Sequence, residues 1–152
     1  MTLRKIEEEK RSVLPLLLLG DEQESLIDGY LDRCDLYVWE EAGETAAVCA
    51  AAERTSDMVE ILNLAVRPDR RRRGLGRTLL LAVCCRYPGR AAVLGTGETP
   101  GTLAFYRACG FREYGREPDY FPTHYDHVIV EEGVELRDRI LLWREAEEPY
   151  GK

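Results

Sequence analysis

The segment 58–85 constrains the fold more than any other part of this sequence, because it predicts a strand, a glycine-rich turn and a helix in direct succession. Residues 58–66, MVEILNLAV, are apolar except for Glu60 and Asn63, and such a run is typical of a strand in the middle of a sheet. Residues 77–85 follow the turn and have a helical pattern. The alternation of strands and helices around this segment predicts an α/β fold with a sheet of mixed direction.

The turn inside this segment, residues 66–76, reads VRPDRRRRGLG. A glycine-rich turn before a helix leaves backbone N–H groups unpaired at the positive end of the helix dipole, which predicts an anion site, most often for phosphate. A nucleotide P-loop would need a lysine directly after Gly76, where Arg77 stands. A dinucleotide fingerprint would need a third small residue where Leu79 stands. The sequence therefore predicts a phosphate site of another kind.

The remaining secondary structure follows from hydrophobic periodicity and from turn residues. These patterns predict further strands over 3–6, 36–41, 45–52, 91–94, 111–114 and 134–143, with a turn at 132–133. They predict helices over 16–33, in two pieces broken near Gly20, and over 102–109, ended by Gly110. Asp21 and Glu24 have the spacing of a capping box. The GTG sequence at 95–97 predicts a flexible turn, and 119–126 predicts an aromatic loop.

Length and charge exclude several classes of protein. The chain has 152 residues, enough for one domain over 1–152, and its net charge of −7 argues against a general nucleic-acid binder. The early apolar run 13–19 contains Pro15 and is too short to span a bilayer. It follows three glutamates, whereas a secretory leader begins with positive charge. We therefore expect a cytoplasmic protein with no membrane partner and no nucleic-acid partner.

The cysteines do not form a metal-binding or disulfide pattern. Their number is odd and no C-x-x-C pair occurs, so we expect small buried hydrophobic residues and no metal site. The five are Cys34, Cys49, Cys84, Cys85 and Cys109.

Two motifs carry a resemblance to a known family. The spacing of Arg71, Gly74 and Gly76 resembles the Q/R-x-x-G-x-G/A signature of the GNAT superfamily of acyl-coenzyme-A-dependent N-acyltransferases. Residues 103–111, LAFYRACGF, resemble the second landmark of that family, and the sequence after residue 119 is similar to an uncharacterised bacterial branch. The resemblance implies a single-domain α/β fold with a mixed, mostly antiparallel sheet, splayed central strands and flanking helices. It also implies N-acetyltransferase activity with acetyl-CoA as co-substrate.

Glu60 and Tyr106 are the predicted catalytic residues. A carboxylate in a central apolar strand is costly to bury, so Glu60 predicts a functional role, a salt bridge to an arginine, or a strand end that reaches solvent. The resemblance implies that Glu60 is the general base that deprotonates the amine, often through water. It implies that Tyr106 is the general acid that protonates the departing thiolate, since a phenol keeps its proton at neutral pH. A core tyrosine on an amphipathic helix is the alternative for Tyr106.

The predicted cofactor-binding residues fall into two groups. The resemblance implies that a strand bulge near Leu64–Val66 frees backbone groups for the thioester carbonyl and the pantetheine arm. It implies that the turn at 71–77 holds the pyrophosphate. The full set is Leu64, Ala65, Val66, Arg71, Arg72, Arg73, Gly74, Leu75, Gly76 and Arg77.

Several questions stay open at the level of sequence. Asn63 is expected either to orient the water or the amine or to face a loop, and His124 is an alternative base within a loop that could wall the acceptor pocket. A non-catalytic acyl-CoA-binding module and a protein that binds nucleotides or nucleic acid through its arginine run are the competing functions. The amine acceptor, a small molecule or a protein, is not identified, and a homodimer is possible by resemblance.

Overall fold

The computed structural model describes residues 2–147 and contains a seven-stranded sheet flanked by helices. The strands are β1 (Thr2–Ile6), β2 (Asp35–Glu41), β3 (Glu44–Thr55), β4 (Met58–Val66), β5 (Ala91–Gly97), β6 (Arg112–Glu117), β7 (Val130–Glu131), β8 (Val134–Glu135) and β9 (Arg139–Arg144). The helices are α1 (Leu14–Gly20), α2 (Glu24–Asp28), α3 (Leu75–Cys84), α4 (Pro100–Ala108) and α5 (Tyr120–His124). Short 3-10 turns cover Lys10–Val13, Leu31–Arg33 and Pro68–Arg70.

The sheet has the strand order β1-β2-β3-β4-β5-β9-β6, so the predicted central strand β4 is the fourth of the seven. Only the β4–β5 pair is parallel, and all other neighbours in this sheet are antiparallel. The predicted α/β fold with a mixed, mostly antiparallel sheet is therefore confirmed. The predicted domain over 1–152 includes residue 1 and residues 148–152, which lie outside the described residues, and it stays a prediction.

Strands β4 and β5 diverge after a short paired stretch. They pair at three positions only, the last being Glu60 with Val93. Beyond that point β4 stays paired with β3 as far as Val66, whereas β5 stays paired with β9. A register shift opposite Ala50 and Ala51 places a bulge in β4 at residue 62, and a bulge bends a strand and increases its twist. The predicted splay of the central strands is confirmed, and it opens a gap between them.

Two hydrophobic layers cover the two faces of the sheet. Leu79, Leu80 and Val83 of α3 pack on one face together with Phe111. Leu17 of α1 packs on the other face. The same layer includes side chains of α2 and of the turn that follows α2. A fully buried leucine stabilises the fold by about 1.5–3 kcal/mol. These layers therefore hold α3 and α1 on opposite faces of the sheet.

The predicted capping box at the start of α2 is wrong. Gln23, and not Asp21, is the residue before the helix, and it caps the helix with no side-chain hydrogen bond. Asp21 instead accepts a hydrogen bond of 2.8 Å from the hydroxyl of Tyr125. The partner lies 104 residues away in sequence, so a local spacing rule could not anticipate it.

The predicted turn at 95–97 is also wrong, because these residues form the end of β5. A methyl group on Gly95 would approach the Arg139 side chain to 2.5 Å, and one on Gly97 would approach the Leu136 side chain to 2.6 Å. Glycine inside a strand often marks such a close approach of neighbouring groups. The two glycines therefore make room for the side chains of Arg139 and Leu136, and they do not mark a change of chain direction.

The C-terminal quarter has more secondary structure than predicted. The aromatic segment contains α5, and the predicted strand over 134–143 is divided into β8 and β9. Strands β7 and β8 form a separate hairpin whose turn, at Glu132 and Gly133, has positive φ values of 50° and 74°. The turn at 132–133 is thus confirmed.

Four of the five cysteines are buried as predicted, and Cys85, just after α3, is exposed. Among residues 2–147, no helix is long and apolar enough to cross a membrane.

Candidate active site

The turn before α3 presents backbone N–H groups to an open cavity. Gly74 precedes the helix with a left-handed φ of 76°, and Arg72 also has a positive φ of 64°. Within the described part of the chain, the N–H groups of residues 71–77 have no backbone acceptor. These donors lie at the positive end of the α3 dipole, so the turn can bind an anion.

Two of the arginines hold the turn in place. Arg70 donates hydrogen bonds of 3.1 Å to Glu41 and 3.0 Å to Glu44, and its side chain is only 17% exposed. Arg73 donates a hydrogen bond of 3.3 Å to Glu41. We call residues 71–77 the anion turn. Since the two glutamates flank the β2–β3 turn, these ion pairs hold the anion turn against the β2–β3 hairpin.

The other arginines are more available to an anion. Arg71 donates from Nε to the carbonyl of Val66 at 3.2 Å, which folds its side chain back along β4. Arg72 and Arg77 are exposed beside the turn. We call the space that these three arginines border the α3 cavity, and its volume is about 670 Å³.

The α3 cavity brings together most of the predicted cofactor-binding residues. It runs from the turn to the gap beside β4 and to α4, where Tyr106 borders it. Arg73 does not line it, because its side chain is turned toward Glu41. The predicted residues that do line it are Leu64, Ala65, Val66, Arg71, Arg72, Gly74, Leu75, Gly76 and Arg77.

Tyr106 is half-buried between two aromatic rings. Its ring centroid lies 5.1 Å from that of Phe105 and 5.8 Å from that of Phe111, both in edge-to-face geometry. Burial raises the pKa of Tyr106, and nearby negative charge raises it further. The phenol therefore keeps its proton over the whole neutral range, as a proton donor must.

Glu60 borders a second space, which we call the α5 cavity, of about 430 Å³. Its Oε1 accepts a hydrogen bond of 2.7 Å from Nε of Arg54, and its side chain is 24% exposed. The sequence left a functional role and a salt bridge to an arginine as alternatives, and the structure shows that Glu60 has the salt bridge and also faces a cavity. Glu60 does not line the α3 cavity, so it and Tyr106 border different cavities.

Two further sequence candidates lie outside both cavities. Asn63 is 4% exposed, and its Nδ2 donates to the carbonyl of Leu17 at 2.9 Å and to the hydroxyl of Tyr30 at 3.0 Å. His124 is exposed and stacks on Tyr120 with centroids 4.1 Å apart. From the same aromatic segment, Tyr120 and its neighbours do form part of the α5 cavity wall.

Sequence reasoning missed Glu131, which borders both cavities. It is half-buried at the tip of the β7–β8 hairpin, directly before the turn at 132–133. No sequence rule marks a glutamate next to a turn, and only the fold brings this one to the gap. Over residues 2–147, no cluster of side chains suited to a metal ion is found.

The chain is similar to known acetyltransferases. Residues 32–113 match the family model described as an acetyltransferase (GNAT) domain. The chain is 33% identical over 141 residues to the uncharacterized N-acetyltransferase YvbK of Bacillus subtilis strain 168, covering 90% of this chain and 91% of that protein.

Two solved structures are similar along almost their whole length. A GNAT family acetyltransferase from Elizabethkingia anophelis with acetyl-CoA bound has a TM-score of 0.88 and 31% identity, covering 95% of this chain and 97% of that one. An acetyltransferase from Bacillus subtilis in complex with CoA has a TM-score of 0.86 and 31% identity, covering 95% of this chain and 98% of that one.

Proposed function

Because this chain belongs to the GNAT acetyltransferase family, we propose that it transfers the acetyl group of acetyl-CoA to a primary amine by direct attack. The observation that carries this proposal is the meeting of two cavities at the gap between β4 and β5. One cavity has anion-binding N–H groups and the other has carboxylates, which suits an anionic acyl donor on one side and a cationic acceptor on the other. A cytoplasmic location, where acetyl-CoA is available, is part of the same proposal.

The donor occupies the α3 cavity in this proposal. Its pyrophosphate accepts hydrogen bonds from the N–H groups of residues 71–77, and Arg72 and Arg77 neutralise its charge. The pantetheine arm then follows β4, where β5 has diverged and no longer covers the backbone. The related structures that hold acetyl-CoA or CoA support the choice of acetyl-CoA as the donor.

The thioester carbonyl lies beside residues 64–66 of β4. Since this stretch has no pairing with β5, a backbone N–H there is available to the oxygen that becomes negatively charged. Preorganised donors of this kind are commonly the largest single contribution to catalysis of acyl transfer.

The acceptor enters through the α5 cavity. An alkylammonium group, whose pKa is near ~10, must lose a proton before its nitrogen can attack. Glu60 takes that proton through water, and the nitrogen lone pair then forms the C–N bond. The C–S bond then breaks, and the thiolate takes a proton from Tyr106. The nitrogen loses a second proton as the amide forms, and that proton returns to Tyr106. One proton is released overall for each amide and free thiol formed.

Thermal unfolding with acetyl-CoA, CoA and ADP at equal concentration tests the donor site. A ligand at about 100 times its dissociation constant adds roughly 2.7 kcal/mol to the free energy of unfolding. We expect a clear rise in Tm with acetyl-CoA that exceeds the rise with ADP. An equal rise with ADP would show a generic anion site and contradict the proposal.

Release of the CoA thiol in the presence of benzylamine tests the reaction. Glu60→Gln should lower kcat by at least about 10²-fold, the range typical of a lost general base. Glu53→Gln is the matched control, because Glu53 pairs with Arg90 as Glu60 pairs with Arg54, and it lies outside both cavities. If acetyl-CoA binds but neither benzylamine nor any other primary amine of a panel releases the CoA thiol, the protein is a non-catalytic acyl-CoA-binding module.

A further inference from the structure

Glu131 lies in the wall that the α3 cavity and the α5 cavity share. Of residues 2–147, only Gly20, Thr96 and Glu131 border both spaces. Glu131 alone among them has an ionisable side chain. An acceptor nitrogen that reaches the acetyl group from the α5 cavity passes along this wall, so it passes Glu131.

The hairpin that carries Glu131 is fastened at both ends. The carboxylate of Glu132 accepts hydrogen bonds of 3.0 Å from the N–H of Gly101 and 3.3 Å from the N–H of Thr102, in the first turn of α4. At the other end, Leu136 packs in a small buried cluster beside α5. These contacts fix the position of Glu131 relative to α4, which carries Tyr106.

The carboxylate of Glu131 has no hydrogen bond or ion pair with another residue between 2 and 147, although the side chain is half-buried and the backbone pairs with Val134. Burial raises its pKa, and the negative charges of Glu22 and Glu132 raise it further. Each arginine of the α5 cavity already has a partner: Arg33 with the carbonyl of Gly29, Arg54 with Glu60, and Arg139 with Glu117. A cation that arrives with the substrate would therefore supply the charge that this carboxylate lacks.

We propose that Glu131 binds the ammonium group of the acceptor and so selects cationic primary amines. The inference rests on the proposed acetyltransferase function and adds to it the residue that recognises the charge of the acceptor. Glu131 has a binding role here, whereas Glu60 takes the proton. Removing Glu131 should therefore weaken acceptor binding more than it slows the chemical step.

A pair of acceptors of similar size separates charge from shape. Benzylamine is a cation at pH 7, whereas phenylhydrazine is uncharged at that pH. With saturating acetyl-CoA, Glu131→Gln should raise KM for benzylamine by about 10- to 100-fold and change kcat by less than about three-fold. For phenylhydrazine, KM should change by less than about two-fold.

Glu135→Gln is the matched control, because Glu135 lies on the other strand of the same hairpin and borders neither cavity. An equal rise in KM for phenylhydrazine would show that Glu131 has only a structural role. An unchanged KM for benzylamine would show that Glu131 does not contact the acceptor. Calorimetric binding of benzylamine to the protein saturated with CoA should weaken by the same factor and requires no turnover. Wild-type turnover tests the proposed function, whereas only the difference between the two ligands tests Glu131.

Discussion

Gly20, the last residue of α1, lies against the side-chain amide of Asn63 in β4, so closely that a methyl group at position 20 would stand 2.1 Å from its Oδ1. Asn63 cannot easily move aside, because its Nδ2 is bonded to the carbonyl of Leu17 and the hydroxyl of Tyr30. The end of α1 is thereby packed tightly against β4 at the place where the α3 and α5 cavities meet.

Gly20→Ala should therefore lower the free energy of unfolding by about 1–3 kcal/mol, the usual cost of overpacking a tight contact. Urea denaturation measures this change. Gly115→Ala is the control, since a methyl there would meet only the Leu141 side chain, at 3.5 Å, and should change stability by less than about 0.5 kcal/mol. Similar losses for the two variants would show that the contact with Asn63 is not tight.

The hydrogen bonds between Glu132 and α4 should make stability depend on pH. They hold the pKa of Glu132 below its ordinary value, the hydroxyl of Thr99 being the largest cause. A depressed pKa in the folded state gives stability that is present above the ordinary pKa, about 4.3, and is lost as pH falls through and below it. Urea titrations at pH 7, 5 and 3 should show Glu132→Gln less stable than wild type at pH 7, with the difference shrinking toward pH 3.

An exposed glutamate without such contacts is the control for this pH effect. The Glu8 side chain is exposed and makes no hydrogen bond with another residue between 2 and 147, so the stability of Glu8→Gln should stay within about 0.5 kcal/mol of wild type at each pH. A difference between wild type and Glu132→Gln that stays constant from pH 7 to pH 3 would contradict the role given to the carboxylate charge.

Gly74→Ala should affect both stability and donor binding. No atom of residues 2–147 lies within 4 Å of a methyl group at this position, so the cost comes from the left-handed φ of 76° and should be about 1–2 kcal/mol. A methyl group beside the N–H donors should also hold phosphate away from the backbone and lower acetyl-CoA affinity by about ten-fold. Thermal unfolding with and without acetyl-CoA measures both effects.

Gly89 offers a matched control, since it has a φ of 80° and no atom of the described residues lies within 4 Å of an added methyl group. It lies in the turn after α3 and borders neither cavity. Gly89→Ala should therefore have the same conformational cost and leave acetyl-CoA affinity unchanged. Loss of affinity in both variants would mean that stability alone, and not access to the turn, governs binding.

The parts of the fold that the sequence predicted are those governed by local pattern. The apolar run of β4, the turn at Gly74 and the end of α4 at Gly110 each follow from adjacent residues, and the structure agrees. The capping box at Asp21 and the turn at 95–97 failed because the deciding contacts come from residues far away in sequence.

In the candidate site, too, local motifs were predictable from the sequence, whereas contacts between distant residues were not. Motif spacing predicted roles for the turn at 71–77 and for Tyr106, both of which the structure places beside one cavity. It could not find Glu131, because a short hairpin brings that carboxylate to the gap and its neighbours in sequence give no signal. Nor could it predict that Arg73 turns toward Glu41, since that ion pair depends on how the hairpin meets the turn.

The thiols should differ sharply in reactivity. Burial raises the pKa of Cys84 to about 11 and also raises the pKa of Cys34 and Cys109, whereas Cys85 is exposed. A thiol reagent such as 5,5′-dithiobis(2-nitrobenzoate) should therefore modify one thiol rapidly in the native protein and all five only after denaturation. Cys85→Ser should remove the rapid phase, and its persistence in that variant would show that a buried thiol is accessible.

Tyr106→Phe should separate proton donation from binding. The phenylalanine ring keeps the packing against Phe105 and Phe111 but cannot donate a proton to the thiolate. We expect kcat to fall by about 10²-fold, the typical contribution of a positioned acid, with the rise in Tm caused by acetyl-CoA unchanged. Tyr114→Phe is the control, because Tyr114 is 55% exposed on β6 and borders neither cavity.

The pH dependence of kcat gives a second test of Tyr106. An acid must be protonated to act, and its activity is lost as pH rises through its pKa. Because burial raises the pKa of Tyr106 above the ordinary phenol value of about 10, wild-type kcat should show no alkaline loss up to about pH 10. An alkaline limb below that pH that disappears in Tyr106→Phe would mean that the phenol ionises more easily than its burial allows.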